Sequence, residues 1–463
     1  MASPATARNP FALDSVHHLL LVALAVIYAL ALGIAVGQGR WIVVVGLVCI
    51  PVVLRWPVEC ALGAFSALVL FESGAMSDSS GGKAVGYFVG AGSAGILVAT
   101  AAVRRRLQMP PKAALWWTLL VAWGALTALW AIDPQTVLLR MPTAVALLVL
   151  YLATVSMRLE EKEFGRVVRI LILIGALAAA YSVAEFYQGI GYRAFGPVRG
   201  SLVIGGSVVN PDLFATRLML PLALAVAAFF ASKGRLLKTI ILGICGVLAL
   251  AVLLTQSRAA LLALLVMTAV FMFRLGMNAR ILAVCAAVGG LVMLLPANFF
   301  NRLHQATVTG GAGRLDIWHV GVQMLKHFGL FGAGVSNFPM AYTAYAGYAP
   351  DFRGQVAGAH NIYLQTAVES GAVGLLLFVL AMRSQVGLGK RYRGHVGQAN
   401  IWLVACEAAG WALIVSAFFA DLMWEKTFWL TWMILALGTQ VYSQRAQGRQ
   451  MQNAGRLARP HSL

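Results

Sequence analysis

A handful of cationic residues stand where charge is costly. Arg258, in TQSRAALLAL, lies between two apolar blocks with almost no loop around it. A charge that close to hydrocarbon needs a partner or an anionic ligand. Arg314, in GAGRLDIW, opens a stretch with helical character, where free N–H groups and the helix dipole also favour an anion. Arg193 and Arg199 share the segment 189–210. Guanidinium reads phosphate bidentately, so the four together point to a phosphate or pyrophosphate site. The competing reading is that each snorkels to the interface or pairs with a carboxylate such as Asp316. His360, in GAHNIYLQTAVESGAVG, precedes an apolar run, and an imidazole of pKa ~6.5 serves as a general base near neutrality. Glu369 follows nine residues later, about 2.5 helical turns deeper. Tyr342, Tyr345, Tyr348, Phe352 and Trp424 could stack on sugar rings, or form an interfacial aromatic belt that needs no ligand. His304, His319 and His327 have no carboxylate or cysteine at ligand spacing, which gives no metal site.

The elements that must position these residues are membrane helices. The chain has 463 residues, 60% of them hydrophobic and 11% charged. A soluble domain carries about 25% charged residues. Apolar segments fall near 16–37, 41–54, 57–72, 86–103, 113–132, 136–157, 167–188, 211–232, 238–255, 259–274, 280–297, 361–382, 399–420 and 427–443. Several are short of the roughly 20 residues a span needs, and 41–54 with 57–72 is the least secure pair. The expected fold is all-α: a polytopic helical membrane protein of 12–14 transmembrane helices with one long, partly helical periplasmic loop. Its parts are a transmembrane bundle over 1–297, a large loop over 298–360, further transmembrane helices over 361–443 and a tail over 444–463. Within the loop, Leu315 to Phe331 carries enough apolar surface for a helix lying on the interface.

The net charge of +19 sits in short loops and the tail, at Arg104–Arg106, 158–169, 233–238, 274–280, 383–393 and 445–459. This pattern marks a cytoplasmic side, with both termini on it. It implies contact with anionic phospholipids rather than nucleic acid, for which there is no motif. The five cysteines lie in or beside apolar blocks without CxxC spacing, so they read as small buried hydrophobes.

Four stretches in order resemble one family. HNIYLQTAVESGAVG at 360–374, TQSRAALLA at 255–263, GRLDIWHVG at 313–321 followed by FGAGVSNF, and VRGSLVIGGSVVNP at 198–211 are similar to the O-antigen ligase and polymerase superfamily. Asp212 departs from the family's pattern by replacing an asparagine. The resemblance implies a glycosyltransferase of the bacterial inner membrane with a periplasmic active site. It would take a glycan from undecaprenyl diphosphate and place it on lipid A–core, by inversion, with no cofactor and no metal. On this reading Arg258 and Arg314 hold the diphosphate and His360 meets the acceptor hydroxyl. Arg199, Arg193, Asn361, Trp318 and Tyr345 bind substrate. A polymerase of lipid-linked repeats is the alternative; a protein O-oligosaccharyltransferase or a secondary transporter fits less well.

Overall fold

The structure is a computed structural model and describes residues 41–72, 80–193, 198–204, 206–276, 313–349, 358–390 and 400–457. The chain divides into two compact units, Met1–Cys60 and Ala61–Leu463. In the first lie α1 (Trp41–Arg55) and the opening of α2 (Pro57–Phe71). Pro57 starts α2 where its missing N–H costs nothing, and Val48–Arg55 meets Pro57–Phe71 at 113°. The doubtful pair at 41–54 and 57–72 is therefore two helices at a sharp bend.

The second unit continues with α3 (Ser80–Val103), α4 (Lys112–Leu126), α5 (Pro134–Val155), α6 (Glu161–Tyr187), α7 (Pro211–Ala231), α8 (Arg235–Leu254) and α9 (Arg258–Leu275). It ends with α10 (Arg314–Phe328), α11 (Phe338–Tyr345), α12 (Ile362–Lys390), α13 (Ile401–Ser416) and α14 (Lys426–Leu457). The only sheet among the described residues is a two-residue hairpin, Val203–Ile204 with Ser207–Val208. Among the described residues, eight helices are long and apolar enough to cross a membrane, or nine if the bent pair is one span. This is a polytopic helical membrane protein. The expected spans at 16–37 and 280–297 lie outside the described residues. The one at 399–420 forms a helix of only 16 residues, α13.

Of these eight, the most buried is α7, with 78% of its apolar window covered; α8 and α13 pack against it. A helix apolar all round is a central one. A second hub forms where α4, α5, α12 and α14 meet. Trp117 lies 6.1 Å from Phe378, 5.7 Å from Phe428 and 5.3 Å from Trp429. The pairs with Phe378 and Phe428 are edge-to-face, a geometry that adds to plain area burial.

One irregularity in α12 sets up the site. The helix breaks at Gly371 (φ 66°, ψ −169°). A break in an apolar helix needs new partners for its freed backbone groups, and the segment after α10 supplies them. Ala333 N–H donates to Val368 O (2.8 Å), Gly334 N–H to Glu369 O (2.9 Å), and Ala372 N–H to Gly329 O (2.8 Å). The other side of that segment is fastened to the turn before α5. Asn337 accepts from Asp133 N–H at 2.7 Å and donates to Asp133 O at 3.1 Å, while Arg140 Nε donates to Ser336 Oγ at 3.0 Å. A Cβ at Gly371 would collide with Leu330 O, and its positive φ already disfavours a side chain. Gly371→Ala is therefore expected to cost at least ~1 kcal/mol, seen as a lower unfolding temperature of the purified protein.

Candidate active site

The corner joining α8 to α9 begins the site. Asn210 caps α7 by accepting from Asp212 N–H at 2.8 Å, which sets Asp212 in the first helical turn, where the dipole favours a carboxylate. Each of its oxygens takes one guanidinium: Arg199 Nη2 at 2.9 Å and Arg314 Nη2 at 3.0 Å. Arg199 is buried, stacks over the Tyr192 ring at 5.8 Å and donates through Nε to Thr255 O at 2.8 Å. Gly200 N–H donates to Leu254 O at 2.8 Å. The last carbonyls of α8 thus find partners in the segment carrying Arg199. Gln256 turns the chain in the left-handed region (φ 53°), and Ser257 caps α9 by accepting from Ala260 N–H at 3.2 Å.

Arg258 is the first residue of α9 and is half-buried. It interacts electrostatically with Arg314, Asp212 and Arg199. Among the described residues its side chain makes no hydrogen bond or salt bridge. Three guanidinium groups thus gather around one carboxylate, and these four side chains together carry a net charge of about +2.

His360 stands at the entrance to α12 with its backbone left-handed (φ 48°), a conformation that persists in a non-glycine residue only when neighbours impose it. Several do. Trp318 Nε1 donates to Ala359 O at 3.0 Å, Asn361 N–H donates to Asp421 Oδ1 at 3.2 Å, and the Asn361 side chain accepts from Tyr363 N–H and Leu364 N–H at 3.0 and 3.1 Å. Asn361 is thus a helix cap and Trp318 holds the residue before the histidine. Gly358 lets the backbone pass against Asp421, whose carboxylate a Cβ there would strike. His360 Nδ1 lies 3.7 Å from Asp421 Oδ2 with its ring 42% exposed. Burial pushes the Asp421 carboxyl above the usual range, opposed by the charges of His360 and then Arg314. Because Arg314 acts on both Asp421 and Arg258, the imidazole and the guanidinium cluster belong to one electrostatic neighbourhood.

Behind Asp421 lies a cavity of about 30 Å³, lined among others by Gln365, Glu369 and Asp421. Glu369 is buried and accepts from Phe338 N–H (3.3 Å) and Gln365 Nε2 (3.0 Å). The acid therefore ties α12 to the start of α11.

The remaining residues with expected roles fall elsewhere. Arg193 is exposed and donates to Gly189 O at 2.6 Å, within its own loop. Tyr345 packs on Phe328 and Tyr348, with ring centroids 6.2 and 6.1 Å away. Tyr342 is buried in the small core beneath α10 and α11. His304 and Phe352 lie outside the described residues. Arg199 and Arg314 do pair with a carboxylate, and it is Asp212. Three features were missed. Asp212 was noted only as a departure from a pattern, and Asp421 not at all. Arg217 is buried in α7, donates to Glu72 O at 2.7 Å and lies 3.8 Å from Glu425, while Lys426 bonds Glu72 at 2.6 Å. Arg217, a charge set in LFATRLML, carried the same intramembrane signal as Arg258. Among the described residues, no three His, Cys, Asp or Glu side chains group as metal ligands.

Residues 243–379 match the family model described as O-antigen ligase. The match supports membership of the O-antigen ligase superfamily. Within the superfamily the match supports an enzyme of ligase or polymerase type acting on lipid-linked glycans. No curated protein matches the chain. The matched segment holds Arg258, Arg314, Trp318, Tyr345, His360 and Asn361. Arg199, Asp212 and Asp421 come to the site from outside it.

Proposed function

We propose that the protein is an O-antigen ligase, which transfers a glycan from undecaprenyl diphosphate to a hydroxyl of lipid A–core at the periplasmic face of the inner membrane. The observation that carries this reading is the guanidinium cluster of Arg199, Arg258 and Arg314 around Asp212, next to the His360–Asp421 pair. Its net positive charge complements a diphosphate diester. Asp212 holds one nitrogen each of Arg199 and Arg314, which fixes their planes and leaves other N–H groups for phosphate oxygens.

In the proposed step the acceptor oxygen attacks the anomeric carbon from the face opposite the diphosphate. The carbon–oxygen bond to the leaving group breaks, and its electron pair goes to the diphosphate oxygen. Arg258 and Arg314 stabilise that charge more in the transition state than in the substrate. The acceptor's proton passes to His360, and Asp421 stabilises the imidazolium. The donor's own diphosphate supplies the driving force, so the scheme needs neither ATP nor metal.

Deleting the gene in its host and resolving lipopolysaccharide on a gel tests the reading. The expected result is bare core, with polymerised glycan still lipid-linked. Core bearing a single repeat would instead assign polymerase activity, and an unchanged ladder would remove both.

A further inference from the structure

At the end of α12 far from His360 lies a second cavity, of about 540 Å³, between α4, α12 and α14. This is the size of a ligand site rather than a packing defect. Lys112 and Arg383 stand at its mouth, both exposed, and among the described residues neither makes a salt bridge. The N-terminus of α4 has no side-chain cap and opens on the same space through Pro111 and Lys112. Trp116 forms a wall, with Leu380 and Leu388 as apolar lining.

The polar side chains along α14 are turned to the protein: Gln440 Nε2 donates to Val155 O at 2.7 Å. The neighbouring hydroxyls are already spent on helix carbonyls: Thr439 on Ala436 O and Ser443 on Gln440 O, both at 2.7 Å. The cavity therefore offers cations and helix N–H groups to an anion, and an apolar side to a hydrocarbon chain. We propose that it is a binding site for an anionic glycerophospholipid. The phosphate lies against Lys112, Arg383 and the α4 N-terminus, and an acyl chain starts along Leu380 and Leu388. Basic pockets between membrane helices recognise anionic headgroups in this way. The site is independent of the glycan chemistry at the other end of α12.

The test uses the full-length protein in neutral detergent, delipidated and titrated with phosphatidylglycerol, phosphatidylcholine or glycerol phosphate, with bound species counted by native mass spectrometry. Phosphatidylglycerol is expected to bind at least ~10-fold more tightly than phosphatidylcholine. Lys112→Gln with Arg383→Gln should weaken it roughly 30-fold, each charge at a membrane surface being worth about a factor of five. Arg105→Gln, an exposed charge that does not line the cavity, should leave binding unchanged, and unfolding temperatures without lipid should match. Equal binding of the two lipids, native affinity in the double variant, or an equal loss in Arg105→Gln would overturn the proposal. So would glycerol phosphate binding as tightly as the lipid, since that describes a soluble-phosphate site.

Discussion

Arg258→Lys is expected to lower glycan transfer by about 100–1000-fold, the usual cost of losing one preorganised donor to a developing oxyanion. Charge is retained in this variant, so the loss isolates geometry. Lysine offers a point charge on a flexible stem, whereas guanidinium presents a planar fork that grips two phosphate oxygens at once. Arg258 suits the test because it makes no side-chain hydrogen bond or salt bridge among the described residues, and the fold should tolerate its replacement. Arg199 and Arg314 are both bound to Asp212, so changing either mixes a structural effect with a chemical one. The assay is transfer from a polyprenyl-diphosphate-linked glycan to lipid A–core by purified protein, with thermal unfolding measured alongside. Native turnover in a folded Arg258→Lys protein would remove the diphosphate role.

His360→Ala is expected to cost roughly 100–10,000-fold in turnover, the range for a positioned general base, while leaving the protein in the membrane. The side chain is 42% exposed and faces Asp421 at 3.7 Å. Losing the imidazole therefore removes little packing. Alanine also accepts the left-handed backbone less readily, so His360→Asn, with a residue that tolerates it, serves as the control for strain. Both variants should fail in transfer, and the asparagine variant should unfold close to the native temperature. Substantial transfer by His360→Asn would make the histidine a structural residue.

Hydropathy made the class of fold legible, because bilayer-length apolar blocks admit few other structures. A helix forms over Arg314–Phe328, where one is expected at Leu315–Phe331, and Ser257-Arg258 lies at the corner between α8 and α9. Local signals succeed there because the determinants lie within one turn of chain. The acids of the site were illegible for the opposite reason. Asp421 meets a histidine 61 positions earlier, and Asp212 meets an arginine 102 positions later. No periodicity encodes such a pairing. Motif position also hides function from structure. Asn361 and Trp318 sit among the motif residues, yet the cap of α12 and the bond to Ala359 O are what their polar atoms visibly do. The break at Gly371 looked like motif glycine and turned out to anchor the segment following α10.

The most direct measurement separates donor binding from turnover. Binding of a polyprenyl-diphosphate glycan and single-turnover transfer are measured for native protein, Arg258→Ala and His360→Asn under the same conditions. The account predicts that Arg258→Ala weakens donor binding and slows transfer, while His360→Asn binds donor as the native protein does and transfers almost nothing. Native donor affinity together with native transfer in Arg258→Ala, or undiminished single-turnover transfer in His360→Asn, would contradict it.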